Sequence, residues 1–176
     1  MTVARSLLIV GALVLGSGAV GAPAASAVAW AVQRPVARSI PDVCVLLSSA
    51  QRHQLRVLPG ATQPNGGPGS PGACSWRSFA LPPWGGEYVA KVLHGPAPAG
   101  NPAPSINNLP TVEYRPDGQE SATSCVYLLT VEPETTLWAQ YSGPNQQGLS
   151  HLVACRRAQA AAAAMSSTYR GLPRSR

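Results

Sequence analysis

Two stretches of the chain alternate apolar and polar side chains in a way that predicts a strand pair. In Cys125 to Glu132 (CVYLLTVE), Cys125, Tyr127, Leu129 and Val131 share one face while Val126 and Leu128 lie on the other. Apolar side chains on both faces place this segment in the middle of a sheet. Its partner is predicted at Thr136 to Ser142 (TLWAQYS), reached through Pro133-Glu134-Thr135, with Leu137, Ala139 and Tyr141 on one face and Trp138 on the opposite one. A second hairpin is predicted from Cys74 to Leu81 (CSWRSFAL) and Glu87 to His94 (EYVAKVLH), which flank the turn-rich Pro82-Pro83-Trp84-Gly85-Gly86. A further short strand is expected near Thr111 to Arg115.

Helical periodicity brackets these strands. Asp42 is placed to cap a helix over Val43 to Leu58, with Leu47, Ala50, Gln51, Gln54, Leu55 and Leu58 as an incomplete stripe and Pro59-Gly60 as its stop. Asn145 to Tyr169 reads as a long helix whose apolar side begins with Leu149, Leu152, Val153 and Cys155. The block Ala160 to Ala164 has the highest helix propensity available and lets a helix approach a sheet closely. Between these elements, Gly60 to Ala73 and Gly95 to Pro104 are rich in Gly and Pro and are expected to be loops. Strands joined by turns too short for crossover helices predict an α+β fold: a mainly antiparallel sheet with an N-terminal helix and a long C-terminal helix packed on it.

The segment before the fold changes the picture. Arg5, the apolar run Ser6 to Ala22 and the small residues Pro23-Ala24-Ala25-Ser26-Ala27 follow the order of a secretory signal peptide, with cleavage expected after Ala27. The run is shorter than the roughly 20 apolar residues a membrane-spanning helix needs, so no stable span is expected after cleavage. No cysteine stands near that junction, which removes the chemistry of lipid anchoring. Residues 28–41 read as a flexible leader, 42–172 as a single domain and 173–176 as a basic tail. Export to the cell envelope makes Cys44, Cys74, Cys125 and Cys155 candidates for two disulfides rather than a zinc site, since no pair has zinc-ligand spacing. Three connectivities are possible, and the equal separations of 30 residues favour Cys44–Cys74 with Cys125–Cys155.

The motifs Asp42-x-Cys44-x-Leu46-Leu47, Gln51-Arg52-x-x-Leu55, Cys74-Ser75-Trp76, Asn108-Leu109-Pro110-x-Val112, Cys125-x-Tyr127-Leu128-Leu129-x-Val131 and Ala154-Cys155-x-x-Ala158 resemble an actinobacterial exported family, domain of unknown function 3558. The resemblance runs over roughly residues 42–172. It implies a small envelope protein, a lipoprotein in many members, with no catalytic residues to carry over. The chain departs from the lipoprotein form by lacking an acylated cysteine.

Catalytic patterns are not found in the sequence. His53, His94 and His151 fall in separate segments with no HExxH, the serine elbow fails because Pro68 stands at its first glycine position, and Glu132 and Glu134 flank a turn proline. Asp42 reads as a cap and Asp117-Gly118 as a turn. No cofactor or metal is expected. Thirteen bases exceed seven acids, yet charged residues make up only 11% of the chain, and the aromatics sit in strands instead of alternating with arginines. That pattern argues against nucleic acid. Arg34, Arg38, Arg156, Arg157, Arg170, Arg174 and Arg176 could instead meet an anionic membrane or wall polymer. An envelope enzyme would need His94 or His151 beside a carboxylate. The leading expectation is a non-catalytic module for an envelope ligand or protein partner, with Trp84 and Trp138 as candidate contact residues.

Intact mass of unreduced protein from its native host should match residues 28–176, with four thiols appearing only after reduction; a full-length mass would overturn cleavage.

Overall fold

The computed structural model describes residues 38, 40, 42–63, 72–79, 85–115, 123–144 and 149–174. The predicted signal segment, its expected cleavage point, most of the expected leader, Trp84 and Asp117 lie outside them.

The strands are β1 (Ala61–Gln63), β2 (Ala73–Arg77), β3 (Glu87–His94), β4 (Asn101–Pro102), β5 (Thr111–Tyr114), β6 (Ser124–Glu132) and β7 (Thr135–Ser142). They form one sheet in the order β1-β2-β3-β7-β6-β5-β4, every pair antiparallel. Both predicted hairpins are present, and β6 lies between β7 and β5 as its two apolar faces require. Register aligns the inner face: Cys74 opposes Ala90, Tyr88 opposes Tyr141, Ala139 opposes Tyr127, and Leu137 opposes Leu129. The outermost strands are only two and three residues long, and Pro102 removes a donor from one of them, which blunts edge-to-edge pairing.

The long helix and a 3₁₀ turn pack against that inner face, and a short helix packs on the long one. A 3₁₀ turn, Val43–Leu46, precedes α1 (Ser49–Leu55), and α2 (His151–Gly171) follows the last strand. Burial on α2 follows Ala154, Cys155, Ala158, Ala161, Ala162, Met165 and Tyr169, a stripe at helical spacing made mostly of methyl groups. The predicted sequential disulfides both form. Cys44–Cys74 ties the 3₁₀ turn to β2 and Cys125–Cys155 ties α2 to β6, so each staples one helical segment to the sheet. A loop of this length stabilises by roughly 3–4 kcal/mol in the chain-entropy model. Such cross-links suggest folding in an oxidising, extracytoplasmic compartment. No helix among the described residues is long and apolar enough to cross a membrane.

Four expectations are corrected. The helix predicted over Val43 to Leu58 is two elements: Asp42 accepts the Cys44 N–H and caps only the 3₁₀ turn. Ser48 then starts α1 with a capping box completed by Gln51, and Arg56 ends it in the left-handed region at φ 54°. Local hydrogen bonds to Ser48 thus override the longer stripe, leaving Leu58 half exposed. The α2 stripe is rotated from its predicted start, because the bond at Cys155 turns Ala154 inward and leaves Leu152 59% exposed. Ala61–Gln63 and Asn101–Pro102, both expected in loops, pair with β2 and β5 because the sheet offers them unfilled edges.

The link from β4 to β5 docks on α2 through side chains. Asn107 and Asn108 both adopt positive φ, a conformation that asparagine tolerates. The Asn107 amide donates to the Ala163 carbonyl at 2.8 Å and to Ser166 Oγ at 2.9 Å, while Ile106 and Leu109 are buried beneath. Gln51 acts similarly from α1, donating to the Ala164 carbonyl at 3.0 Å and accepting from Thr168 Oγ1.

Close packing of α2 makes its alanines unequal. Ala161→Leu should cost roughly 1–3 kcal/mol by overpacking, whereas Ala160→Leu on the exposed side should stay within about 0.5 kcal/mol. Urea unfolding of the two oxidised variants checks this; equal losses would contradict the packing.

Candidate functional site

Because α2 and the 3₁₀ turn cover one face, the other face of the sheet carries its own row of side chains. Register sets Val112, Leu128, Trp138 and Lys91 side by side across β5, β6, β7 and β3, with Tyr114, Val126, Gln140 and Val89 as the next row. Leu128 and Val126 are buried, while Trp138, Tyr114, Lys91 and Gln140 stay partly exposed above them. Tyr114 meets the Trp138 ring edge-on at 5.3 Å between centroids, and the Lys91 ammonium lies 5.1 Å from the indole centroid. Trp138 Nε1–H donates to Gln140 Oε1 at 3.2 Å; the Gln140 amide donates to Ser142 Oγ at 2.9 Å and Ser124 Oγ at 3.4 Å. The indole is therefore fixed in orientation by one cation, one phenol and one amide.

A second cluster sits where α2 begins. Ser150 caps the helix, accepting the Val153 N–H, and His151 follows one turn before Cys155. His151 Nε2 is 3.1 Å from Glu113 Oε1 on β5 and 3.3 Å from Cys155 Sγ. The same carboxylate oxygen accepts from Arg115 Nε at 2.8 Å. The two side chains of the pair are only 18% and 17% exposed. His53 and His94 are exposed and enter no such pair among the described residues. Glu132 contacts Arg38 at 3.8 Å, while Pro133 and Glu134 are exposed in the β6–β7 turn.

An open groove of about 460 Å³ lies at one end of the sheet, lined by Arg77, Gly86, Glu87, Ser142 and Gly143 among others. Neither His151 nor Glu113 lines it. Tyr141 stands beside it, donating to the Gly85 carbonyl at 3.1 Å and accepting from Arg157 Nη1 at 2.8 Å. A Cβ on Gly86 would lie 2.6 Å from the Tyr141 ring, so the backbone passes that ring with no room for a side chain.

Several arginines expected at a polymer contact are engaged within the fold. Arg38 pairs with Glu132, donates to the Tyr169 carbonyl and stacks on the Tyr169 ring at 5.3 Å. Arg157 lies over Tyr141 at 5.1 Å, and Arg170 donates to the Asn107 carbonyl at 2.6 Å. Arg156 and Arg174 remain exposed, while Arg34 and Arg176 lie outside the described residues. Trp138 is the candidate contact residue whose surroundings are visible. Lys91 and Tyr114 escaped notice in the sequence, although alternation from Val92 and Val112 already assigns them to strand faces. Glu113 was missed because its partner, His151, is 38 residues away. No family model, curated protein or solved structure matches the chain.

Burial pushes the Tyr88 hydroxyl up to about 12 against the opposing pull of Arg157. It does the same to Tyr169, also about 12, where the Glu132 carboxylate adds to the rise. Folding therefore favours the protonated phenols. Their contribution is complete below pH about 10, the unfolded value, and is lost as pH rises toward about 12. Stability should fall across that alkaline window; ultraviolet titration with parallel urea melts checks it, and all tyrosines ionising near pH 10 without unfolding would contradict it.

Proposed function

We propose that this is an exported cell-envelope protein that works by binding rather than by catalysis, with Trp138 at the centre of its recognition surface. The observation that carries the reading is the sheet face opposite α2, where a half-buried indole is framed by Tyr114, Lys91 and Gln140. An aromatic ring offers stacking area, Gln140 and the serines offer hydrogen bonds, and Lys91 offers a positive charge. That combination fits a wall saccharide bearing acidic groups: sugar C–H faces stack on rings, hydroxyls bond amides, and the acid meets the ammonium. Export rests on the Arg5 to Ala27 signal pattern, with cleavage after Ala27, and is supported by the two disulfides.

Anionic-polymer binding through arginines draws less support, since Arg38, Arg115, Arg157 and Arg170 all have partners inside the fold. A second reading has a specific observation behind it. His151 and Glu113 at 3.1 Å have the geometry of a general base and its orienting acid. Arg115 on the same carboxylate oxygen and a disulfide sulfur against the imidazole make the pair more of a structural tie.

Calorimetric titration of the oxidised protein with purified anionic envelope polysaccharide separates the readings. Trp138→Ala should weaken binding by roughly tenfold, or about 1.4 kcal/mol, with unfolding still cooperative. Equal binding by the variant, or none by the parent protein, would sink the proposal; a hydrolytic activity untouched by Trp138→Ala would favour the His151 reading.

A further inference from the structure

The Cys125–Cys155 disulfide has metal-ligand chemistry on both sides of it. Glu113, Cys125, His151 and Cys155 each present one ligand atom, and these four atoms lie within 4.8 Å of one another. The chain reaches this arrangement by three separate routes. His151 and Cys155 are one helical turn apart on α2, the i, i+4 spacing that puts two side chains on one face. Glu113 opposes Tyr127 on β6, and Cys125 is two residues before Tyr127, so both project from the inner face of neighbouring strands. The disulfide then brings the helix pair onto the strand pair, with Cα atoms of Cys125 and Cys155 4.9 Å apart.

We propose that reduction of Cys125–Cys155 turns this cluster into a tetrahedral site for zinc or a similar borderline-soft divalent cation. Reduction by a dithiol breaks the S–S bond with two electrons, leaving two protein thiols and oxidising the dithiol to its disulfide. Binding of the dication then releases both thiol protons and leaves two thiolates, one neutral imidazole and one carboxylate around it, a set with one net negative charge once the metal is counted, which the paired Arg115 guanidinium offsets. Ligand atoms of a tetrahedral zinc centre stand roughly 3.3–3.8 Å apart. His151 Nε2 already lies 3.1 Å from Glu113 Oε1 and 3.3 Å from Cys155 Sγ. The two sulfurs have to separate, and ligand atoms that stand up to 4.8 Å apart have to draw in. Arg115 also holds the Glu113 carboxylate, so it both orients that ligand and competes for its charge. Exchange with an oxidised dithiol, which takes up the two electrons and is itself reduced, converts the thiolates back to the disulfide and expels the ion, so the disulfide and the metal site are alternative states of one cluster.

Cobalt(II) reports the site directly, because tetrahedral thiolate ligation gives intense visible d–d absorption together with a thiolate charge-transfer band. The full-length chain is reduced anaerobically with a phosphine, desalted and titrated with cobalt, then with zinc; circular dichroism follows the fold throughout. The expected result is one cobalt per chain, displaced by zinc, released when diamide restores the disulfide, and absent from protein that was never reduced. Cys125→Ser with Cys155→Ser should abolish the signal, while Cys44→Ser with Cys74→Ser should keep it. His151→Gln should weaken binding by more than roughly tenfold. The proposal is overturned if reduced, folded protein binds no cobalt, if the signal survives loss of Cys125 and Cys155, or if reduction unfolds the cluster and cobalt does not restore it.

Discussion

The seating of α2 on one face of the sheet is the constraint on which the rest depends. Its buried stripe is built from Ala154, Ala158, Ala161 and Ala162, with Met165 and Tyr169 toward its end. Small side chains leave little room between helix and strands, so the helix axis has few positions that fill space without overlap. Cys125–Cys155 fixes one end of the contact, while Arg38 against Tyr169 and Glu132 fixes the other. Rotation of α2 is thereby set, and with it which residues of the alanine block face inward.

Other segments take their places from this contact. Thr168 donates to Gln51, both donate to the Ala164 carbonyl, and Asn107 donates to the Ala163 carbonyl, so the β4–β5 link and α1 are held by polar bonds across buried apolar anchors. The 3₁₀ turn is tied to β2 by the other disulfide and completes the same layer. At that contact Gly60 passes over Cys74 and Trp76 so closely that a Cβ would lie 2.6 Å from the Cys74 sulfur. A two-layer arrangement results, with polar groups paired at the seams and methyl groups in the middle.

Covering one face has a consequence for the other. Leu128 and Val126 still need shelter there, and the described cover is a lattice of side chains from neighbouring strands: Trp138, Tyr114, Gln140 and Lys91. Such a lattice shields the strand below and keeps ring edges and polar heads at the surface. The His151–Glu113 pair arises at the opposite face from the same seating, since the bond that anchors α2 also brings the imidazole to the carboxylate.

Alternation in Cys125 to Glu132 and in Thr136 to Ser142 was enough to read two central strands, their faces and their pairing, because a strand's period of two is a local property. Sequential disulfides were favoured by equal spacing, and the α+β class followed from turn lengths. Where one helix stops and another begins was not legible, because Ser48 and Gln51 compete with the apolar stripe through a few local hydrogen bonds. The short edge strands were hidden by their Gly and Pro content, since pairing at an edge is decided by the neighbouring strand that offers it. Trp138 could be assigned to a face from its sequence, but its partners Lys91 and Tyr114 come from strands 47 and 24 residues away and meet it only through register. The sequence by itself determined the central strands, the long C-terminal helix and the alternating faces, all of which follow from neighbours along the chain. Tertiary structure alone decided which face α2 covers and which distant side chains converge on Trp138 and on Cys125–Cys155, because those outcomes depend on packing between segments that no local period encodes.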